Sequence, residues 1–241
     1  MKPDYGLDAP KLVRRLAGRA AMIIAFAVVL YFANRNTNAQ AAATVATLVF
    51  SIGIILAVVA GTMVLSSRVV KIKVCQRIIE SLPWRGDERV LDVGCGRGLF
   101  LVTAAKRLTT GKATGVDIWE REDLSNNTAE AAIANAKAEG VSSKVKIETA
   151  DARKLPFAAA SFDVVLSGLA IHNIRPRDQR LQALREIARV LKTGGYLAIF
   201  DIFHTGEYAK ALEQLNFSDI HLSPMTFLWC VPTRSLTARK Q

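Results

Sequence analysis

Two long apolar segments dominate the first quarter of the chain. The second segment, Ala41 to Leu65, lies within a stretch at 36–67 that contains no Asp, Glu, Lys or Arg. About 20 consecutive apolar residues are enough to cross a bilayer as a helix, so we predict a transmembrane helix at 41–65. A buried core helix of a soluble protein is disfavoured, because such a helix rarely stays uncharged on every face for so long.

The first apolar segment, Ala20 to Asn34, is shorter and would span only about 22 Å at the rise of an α-helix. If the three arginines between positions 14 and 19 extend towards lipid headgroups, the segment becomes a second membrane helix at 14–34 that forms a hairpin with the first. A cleaved signal peptide is the alternative, since a basic start, an apolar stretch and small residues at 38–41 also fit that pattern.

The residues that follow the second segment indicate its orientation. Four basic residues come directly after it: Arg68, Lys71, Lys73 and Arg77. Basic flanks of membrane helices stay on the cytoplasmic side. Residues 68–82 mix apolar and charged positions at helical spacing, which predicts a linking amphipathic helix that either covers an edge of the following domain or lies on the membrane. We therefore expect an integral membrane protein whose residues 83–241 face the cytoplasm.

From residue 89 onward, short apolar runs alternate with helical stretches, a pattern typical of an α/β fold with a mostly parallel sheet and helices on both faces. The predicted strands lie at 89–93, 112–117, 144–149, 162–167 and 196–202. The predicted helices lie at 99–108, 128–139, 178–191 and 207–215. Two further strands, at 220–222 and 227–239, are expected to form an antiparallel C-terminal pair.

The most specific local signal is the sequence VLDVGCGRG at 90–98. An apolar strand that contains Asp92 runs into a turn with three alternating glycines and then into an apolar helix start. Such a turn lets the backbone approach a ligand closely. The dinucleotide-binding spacing Gly-x-Gly-x-x-Gly is not met, because Leu99 occupies its last position, and this disfavours a nicotinamide-dependent dehydrogenase. The segment 91–98 instead resembles the first motif of class I S-adenosylmethionine-dependent methyltransferases.

The other motifs of that family follow in order over residues 83–204. The resemblance implies a Rossmann-like fold in which Asp117, in GVDIW, binds the ribose hydroxyls of S-adenosyl-L-methionine and Ile118 lies against the adenine ring. It implies that Asp151 and Ala152, in ETADARKLPF, bind the adenine edge. FDVVLS, which ends at Ser167, resembles the strand that leads to the methyl-transfer centre. The implied cofactor-binding residues are Asp92, Gly94, Cys95, Gly96, Gly98, Asp117, Ile118, Asp151, Ala152 and Ser167.

Methyl transfer from a sulfonium depends mainly on holding the nucleophile at attack distance, and a base is needed only if the acceptor must lose a proton. His172 follows the fourth strand at the expected mouth of the site and is the candidate general base. A histidine bonded to backbone is the alternative. His204 with Asp201 is a second candidate, and His221 is expected to be structural.

Two features depart from the family pattern. The segment at 119–127 is longer than usual and forms either a lid or a solvated loop. The sequence SGLAIHN at 167–173 lacks the Asn-Pro-Pro-aromatic tetrapeptide of enzymes that methylate amide or exocyclic amine nitrogens, which removes support for such substrates.

The composition of the chain limits the classes of binding partner that we expect. The net charge of +11 would suit nucleic acid, but no basic cluster interleaved with aromatics and no recognised RNA or DNA module is present. No nucleic acid is therefore expected, and the basic charge fits attraction to anionic headgroups. Cys75, Cys95 and Cys230 show no paired or metal-ligand spacing, which argues against a disulfide framework and a metal site.

These patterns divide the chain into an N-terminal membrane anchor at 1–67, a linking helix at 68–82 and a methyltransferase domain at 83–241. The anchor suggests S-adenosylmethionine-dependent methyl transfer to a small lipophilic or membrane-resident acceptor, such as a lipid, a quinone intermediate or a hydrophobic thiol, amine or phenol. The alternative is a membrane-anchored sensor that binds S-adenosylmethionine or another nucleotide without catalysis.

Overall fold

The structure is a computed structural model that describes residues 2–120, 124–228 and 231–241. Its first elements are the helices α1 (Pro10–Asn34) and α2 (Ala39–Leu65), which a short turn joins into a hairpin. The Asn38 side chain caps α2 by accepting a hydrogen bond from the Ala41 amide at 3.0 Å, and such a cap stabilises a helix start. Gly53 permits close contact between the helices, since a Cβ there would lie 2.6 Å from a side-chain carbon of Ile24.

The outer surface of this hairpin is apolar. Met22, Phe26, Leu48 and Ile55 are large side chains that are more than half exposed. Both helices are long and apolar enough, by length and composition, to cross a membrane. The core-helix alternative is disfavoured by this exposure, because the core of a soluble protein would bury such side chains.

The described part of the chain after the hairpin forms one eight-stranded sheet with the order β3-β2-β1-β4-β5-β8-β6, and β7 pairs with β8. The strands are β1 (Arg89–Val93), β2 (Lys112–Asp117), β3 (Val145–Thr149), β4 (Phe162–Gly168), β5 (Leu191–Ile202), β6 (Phe217–Leu222), β7 (Thr226–Leu228) and β8 (Val231–Lys240). Strands β1 to β5 run parallel, whereas β8 is antiparallel to its neighbours. The predicted fold class is confirmed.

Helices cover both faces of this sheet. They are α3 (Lys71–Glu80), α4 (Leu99–Ala105), α5 (Ala129–Ala138), α6 (Arg177–Val190) and α7 (Thr205–Gln214). One apolar cluster contains residues of α3, α4 and α5, and a second contains residues of α6 and α7. The chain order of the strands reverses between β1 and β4, and ligands bind beyond the carboxyl ends of the strands at such a reversal.

Helix α3 corresponds to the amphipathic helix that the sequence predicts at 68–82. It continues α2 through a π-helical turn (Ser66–Val70). Cys75, Ile78 and Ile79 are buried in the same cluster as α4, whereas Lys73 and Arg77 are exposed. Of the two roles left open by the sequence, this packing supports the covering role. The division of the chain at residues 67 and 83 stays a prediction.

Strand β5 is longer than the predicted 196–202, because it begins at Leu191. A run with two consecutive glycines reads as a turn, yet here it remains beside β4 and Leu191 pairs with Phe162. A Cβ at Gly195 would lie 2.8 Å from the Asp163 carbonyl oxygen. Because Gly195 has no side chain, β5 can lie this close to β4. The register between the two strands shifts at this point.

Candidate cofactor and acceptor site

A cavity of about 510 Å³ lies beyond the carboxyl ends of β1, β2 and β4. This volume is within the roughly 300–1,000 Å³ range of small-molecule sites. The structure brings most of the predicted cofactor residues to its wall: Asp92, Gly94, Cys95, Gly96, Asp117, Ile118, Asp151 and Ala152. Gly98 and Ser167 lie outside that wall. Gly98 precedes the first turn of α4, and the buried Ser167 hydroxyl donates to the Val93 carbonyl at 2.9 Å, which joins β4 to β1.

The glycine loop has the backbone conformation that its sequence predicts. Gly94, Gly96 and Gly98 have φ values of 72°, 51° and 83°, a region that side chains rarely adopt. A Cβ at Gly94 would lie 2.2 Å from the Cβ of Ala170, so any larger residue there would collide with the segment after β4. The missing side chain at Gly94 therefore lets the loop pack closely against that segment.

Asp117 holds the loops around the cavity together. One of its carboxylate oxygens accepts from the Gly96 amide at 2.8 Å, and the other accepts from the Trp119 amide at 2.6 Å. A carboxylate oxygen can accept more than one hydrogen bond, so ribose hydroxyls remain possible partners. Asn127 also lines the cavity, and its buried Oδ1 has no hydrogen-bond partner among the described residues. The sequence motifs did not identify this amide as a cavity residue.

Asp92 is the most unusual group on the cavity wall. It is buried, its Oδ2 accepts from the Leu101 amide at 2.8 Å, and its Oδ1 has no partner among the described residues. Burial raises the pKa of this carboxyl to about 8, and the charge of Asp117 adds to the effect. A buried carboxylate oxygen without a donor fits a positively charged ligand group. S-adenosylmethionine, with its ammonium and sulfonium groups, satisfies that requirement.

Asp151 and Ala152 line the cavity beyond the end of β3. Both carboxylate oxygens of Asp151 accept hydrogen bonds from the Arg153 guanidinium. This pairing holds the pKa of Asp151 below its usual range. Ile118 is about half exposed on the same wall. The expected lid or loop at 119–127 falls partly on residues 121–123, which are outside the described residues.

The N-terminal segment, residues 4–8, forms a wall of the cavity that the sequence did not predict. Tyr5 and Asp8 line the cavity beside Lys71. Arg97, in the glycine loop, holds the segment by donating to the Asp4 carbonyl at 2.7 Å and to the Asp4 carboxylate at 3.0 Å. The Asn135 amide donates to the same Asp4 carbonyl at 2.8 Å. The segment just before α1 is therefore bound to the predicted cofactor loop.

His172 lies between two cavity-lining residues in the sequence, and hydrogen bonds to Asp201 hold it in place. Its Nδ1 is 2.5 Å from the Asp201 carboxylate, which also accepts from the His172 amide at 3.1 Å and from the Tyr208 hydroxyl at 3.3 Å. Ile171 and Asn173 line the cavity, whereas the cavity wall does not include His172. Asp201 thus pairs with His172 and not with His204, whose Nδ1 lies 3.5 Å from Arg180.

Comparison with known proteins agrees with this geometry. Residues 91–199 match the model of a family described as a methyltransferase domain. The chain is 36% identical over 132 residues to the 27-O-demethylrifamycin SV methyltransferase of Amycolatopsis mediterranei, covering 54% of this chain and 44% of that protein. It is 33% identical over 146 residues to a sterol 4-C-methyltransferase of Caenorhabditis elegans, covering 60% and 40% of the two chains.

A demethylmenaquinone methyltransferase of Staphylococcus aureus is 32% identical over 127 residues, covering 52% of this chain and 48% of that protein. The chain thus spans less than half the length of each of these three relatives. Among solved structures, an S-adenosylmethionine-dependent methyltransferase from Aquifex aeolicus has the same fold, with a TM-score of 0.52 and 20% identity over 68% of this chain and 88% of that one.

The family match, the relatives and the fold together support an S-adenosylmethionine-dependent methyltransferase domain that includes residues 91–199 of this chain. S-adenosyl-L-methionine is the cofactor that this domain indicates. The domain match begins at residue 91, after the helical hairpin and the N-terminal segment that borders the cavity, so these parts distinguish the chain from the family core.

Proposed function

We propose that the chain transfers the methyl group of S-adenosylmethionine to a small lipophilic acceptor that reaches the enzyme from a membrane. One observation carries the proposal: the cavity wall includes Asp8 and Lys71, which flank the two ends of the apolar hairpin. A ligand in this cavity is therefore held at the base of a pair of helices long and apolar enough to lie in a bilayer.

In this proposal the adenine lies between Ile118 and Ala152, and Asp117 binds the ribose. When bound, the cofactor supplies an activated methyl group, and the chain holds the acceptor in line with it. The remaining wall suits an apolar acceptor, because Phe100, Leu169, Ile171 and Ile174 line it. Three of the relatives support this class, since they are named as methyltransferases that act on a sterol, a demethylmenaquinone and a demethylrifamycin.

If the acceptor is a phenol or a thiol, a group must take its proton. We propose His172 for this role. Its contact with Asp201 favours a tautomer that has the proton on Nδ1 and leaves Nε2 free to accept a proton. Asp201 is fully buried, so its charge would stabilise the imidazolium that forms. Asp201 is a positioning residue in this scheme.

The experiment uses the full chain in lipid nanodiscs with methyl-labelled S-adenosylmethionine and fractionated membranes, followed by mass spectrometry of the labelled products. We expect label in compounds that extract into organic solvent. Gly96→Arg should abolish labelling, because the side chain would enter the cofactor loop at a positive φ. Gly206→Arg is the matched control, since nothing lies within 4 Å of a Cβ at that position.

Label found only in water-soluble macromolecules would contradict a lipophilic acceptor. Cofactor binding by calorimetry without a labelled product in any fraction would favour the membrane-anchored sensor.

A further inference from the structure

We infer that Lys71 binds the carboxylate at the methionyl end of S-adenosylmethionine, so that residues at the two ends of the hairpin complete the cofactor site. The inference rests on the proposed function and extends it to a residue outside the domain that matches the family. It follows from the residues that line the cavity, the burial of a charged group on its wall and the charges of the cofactor.

The direction of the cofactor follows from the cavity's lining. The strand order β3-β2-β1 places Asp151 and Ala152, which follow β3, beside Asp117 at the end of β2, and the glycine loop after β1 comes next. Asp8 and Lys71 also line the cavity, and Arg97 of the glycine loop bonds to the segment that contains Asp8. When the adenosine occupies the part with Asp117 and Ala152, the amino-acid end of the cofactor extends past the glycine loop towards that segment.

The amino-acid end carries one ammonium and one carboxylate, and both need partners in a cavity that shields them from water. The free Oδ1 of Asp92 is an acceptor for the ammonium. The carboxylate needs a cation. Three arginines also line the cavity. Arg153 pairs with Asp151 and Arg97 holds Asp4, whereas Arg175 is exposed and follows β4. Lys71 remains as the cation beside the hairpin ends.

The ammonium of Lys71 is buried and held in a fixed position, as expected for a group that binds a ligand. Its side chain is only 7% exposed, and its Nζ donates to the Asp8 carboxylate at 2.7 Å. That contact uses one of the three N–H donors of the ammonium. The Ser67 hydroxyl donates to the other Asp8 oxygen at 2.8 Å. Because both oxygens of Asp8 are occupied, the carboxylate fixes the Lys71 ammonium at the wall and leaves further donors for a ligand.

This arrangement joins the two ends of the hairpin at the cofactor site. Asp8 lies just before α1, whereas Ser67 and Lys71 come just after α2. A displacement of either helix end would move the ammonium. Cofactor affinity therefore depends on the hairpin as well as on the family's glycine loop.

The test compares two ligands that share the adenosine. S-adenosylhomocysteine retains the amino-acid end, whereas 5′-methylthioadenosine lacks it. We would measure both dissociation constants by calorimetry on the full chain in nanodiscs. For Lys71→Met we expect the affinity for S-adenosylhomocysteine to fall about 10-fold or more, as for the loss of a charge-assisted hydrogen bond. The affinity for 5′-methylthioadenosine should stay the same.

Two further variants keep the result interpretable. Asp8→Asn combined with Lys71→Met removes both charges, so that no buried charge is left without a partner, and it should show the same selective loss. Lys73→Met changes an exposed lysine of the same helix and should change neither constant.

Equal losses for the two ligands would overturn the inference, since they would mean that Lys71 only supports the cavity. Unchanged affinity for S-adenosylhomocysteine would overturn it as well. A failure of the proposed function is a separate result, because the wild-type chain would then give no labelled lipophilic product in the labelling experiment, whatever its dissociation constants for these two ligands.

Discussion

At the scale of single residues, the site is defined by polar groups whose hydrogen bonds the described chain leaves incomplete. Asp92 and Asn127 each have a buried oxygen without a partner, and such atoms are uncommon in folded proteins. Both line the same cavity. The sequence identified Asp92 through its motif, whereas Asn127 lies in a segment with no pattern. A buried acceptor without a donor is visible only once the surrounding atoms are placed.

Asp92 should make stability depend on pH. Because burial raises its pKa to about 8, above the value of about 4 in an unfolded chain, the folded state holds the proton more tightly. The cofactor-free protein should therefore be most stable below about pH 4 with respect to this group, and lose that stability as pH rises towards 8. Asp92→Asn should remove this part of the slope in melting temperatures measured against pH. Asp87→Asn, at an exposed carboxylate, is the control, and an unchanged slope in Asp92→Asn would contradict the assignment.

His172 should affect turnover more than binding. If it accepts a proton from the substrate, His172→Gln should lower kcat by about 100-fold or more while the dissociation constant of S-adenosylhomocysteine stays the same. A variant with normal turnover and a lower melting temperature would instead show that the histidine only joins its segment to Asp201.

At the scale of elements, the apolar pattern predicted individual strands but missed contacts between residues that are far apart in the sequence. The strands at 89–93 and 112–117 were predicted with the bounds that the structure has, because each is a short segment between stretches with a helical pattern. The wall formed by residues 4–8 was not predicted. Its contacts with Arg97 and Asn135 join positions about 90 and 130 residues apart, and the short polar segment carries no periodic pattern that would indicate them.

Arg97 should control the position of this N-terminal segment. Its guanidinium makes two hydrogen bonds to Asp4 and one to the Ser125 carbonyl, and hydrogen bonds to charged groups contribute about 1.5–3 kcal/mol each. Arg97→Ala should therefore increase amide exchange across residues 4–8 about 10-fold or more and weaken cofactor binding. The control is Arg107→Ala, which removes a surface ion pair with Glu80. Unchanged exchange in Arg97→Ala would show that other contacts hold the segment.

At the scale of the whole molecule, the proposal depends on the hairpin lying in a bilayer. An apolar surface of this extent is expected to be covered, either by a membrane or by a partner protein. The hairpin and the sheet domain meet where Asp8, Ser67 and Lys71 join. Because this junction is also a wall of the cavity, the environment of the hairpin determines which acceptors can approach it.

A charge at the middle of α2 distinguishes the two environments. Ile52 is about half exposed near the centre of that helix, and a lysine at the bilayer centre costs about 2.5–3.5 kcal/mol on insertion scales. Ile52→Lys should therefore reduce the fraction of the chain that resists alkaline extraction from membranes. Val69→Lys, beside the basic residues that follow α2, should leave this fraction unchanged. If Ile52→Lys stays in the membrane fraction as the wild type does, or if both proteins are extracted, the hairpin is not an anchor. In that case its apolar surface would be a site for a protein partner.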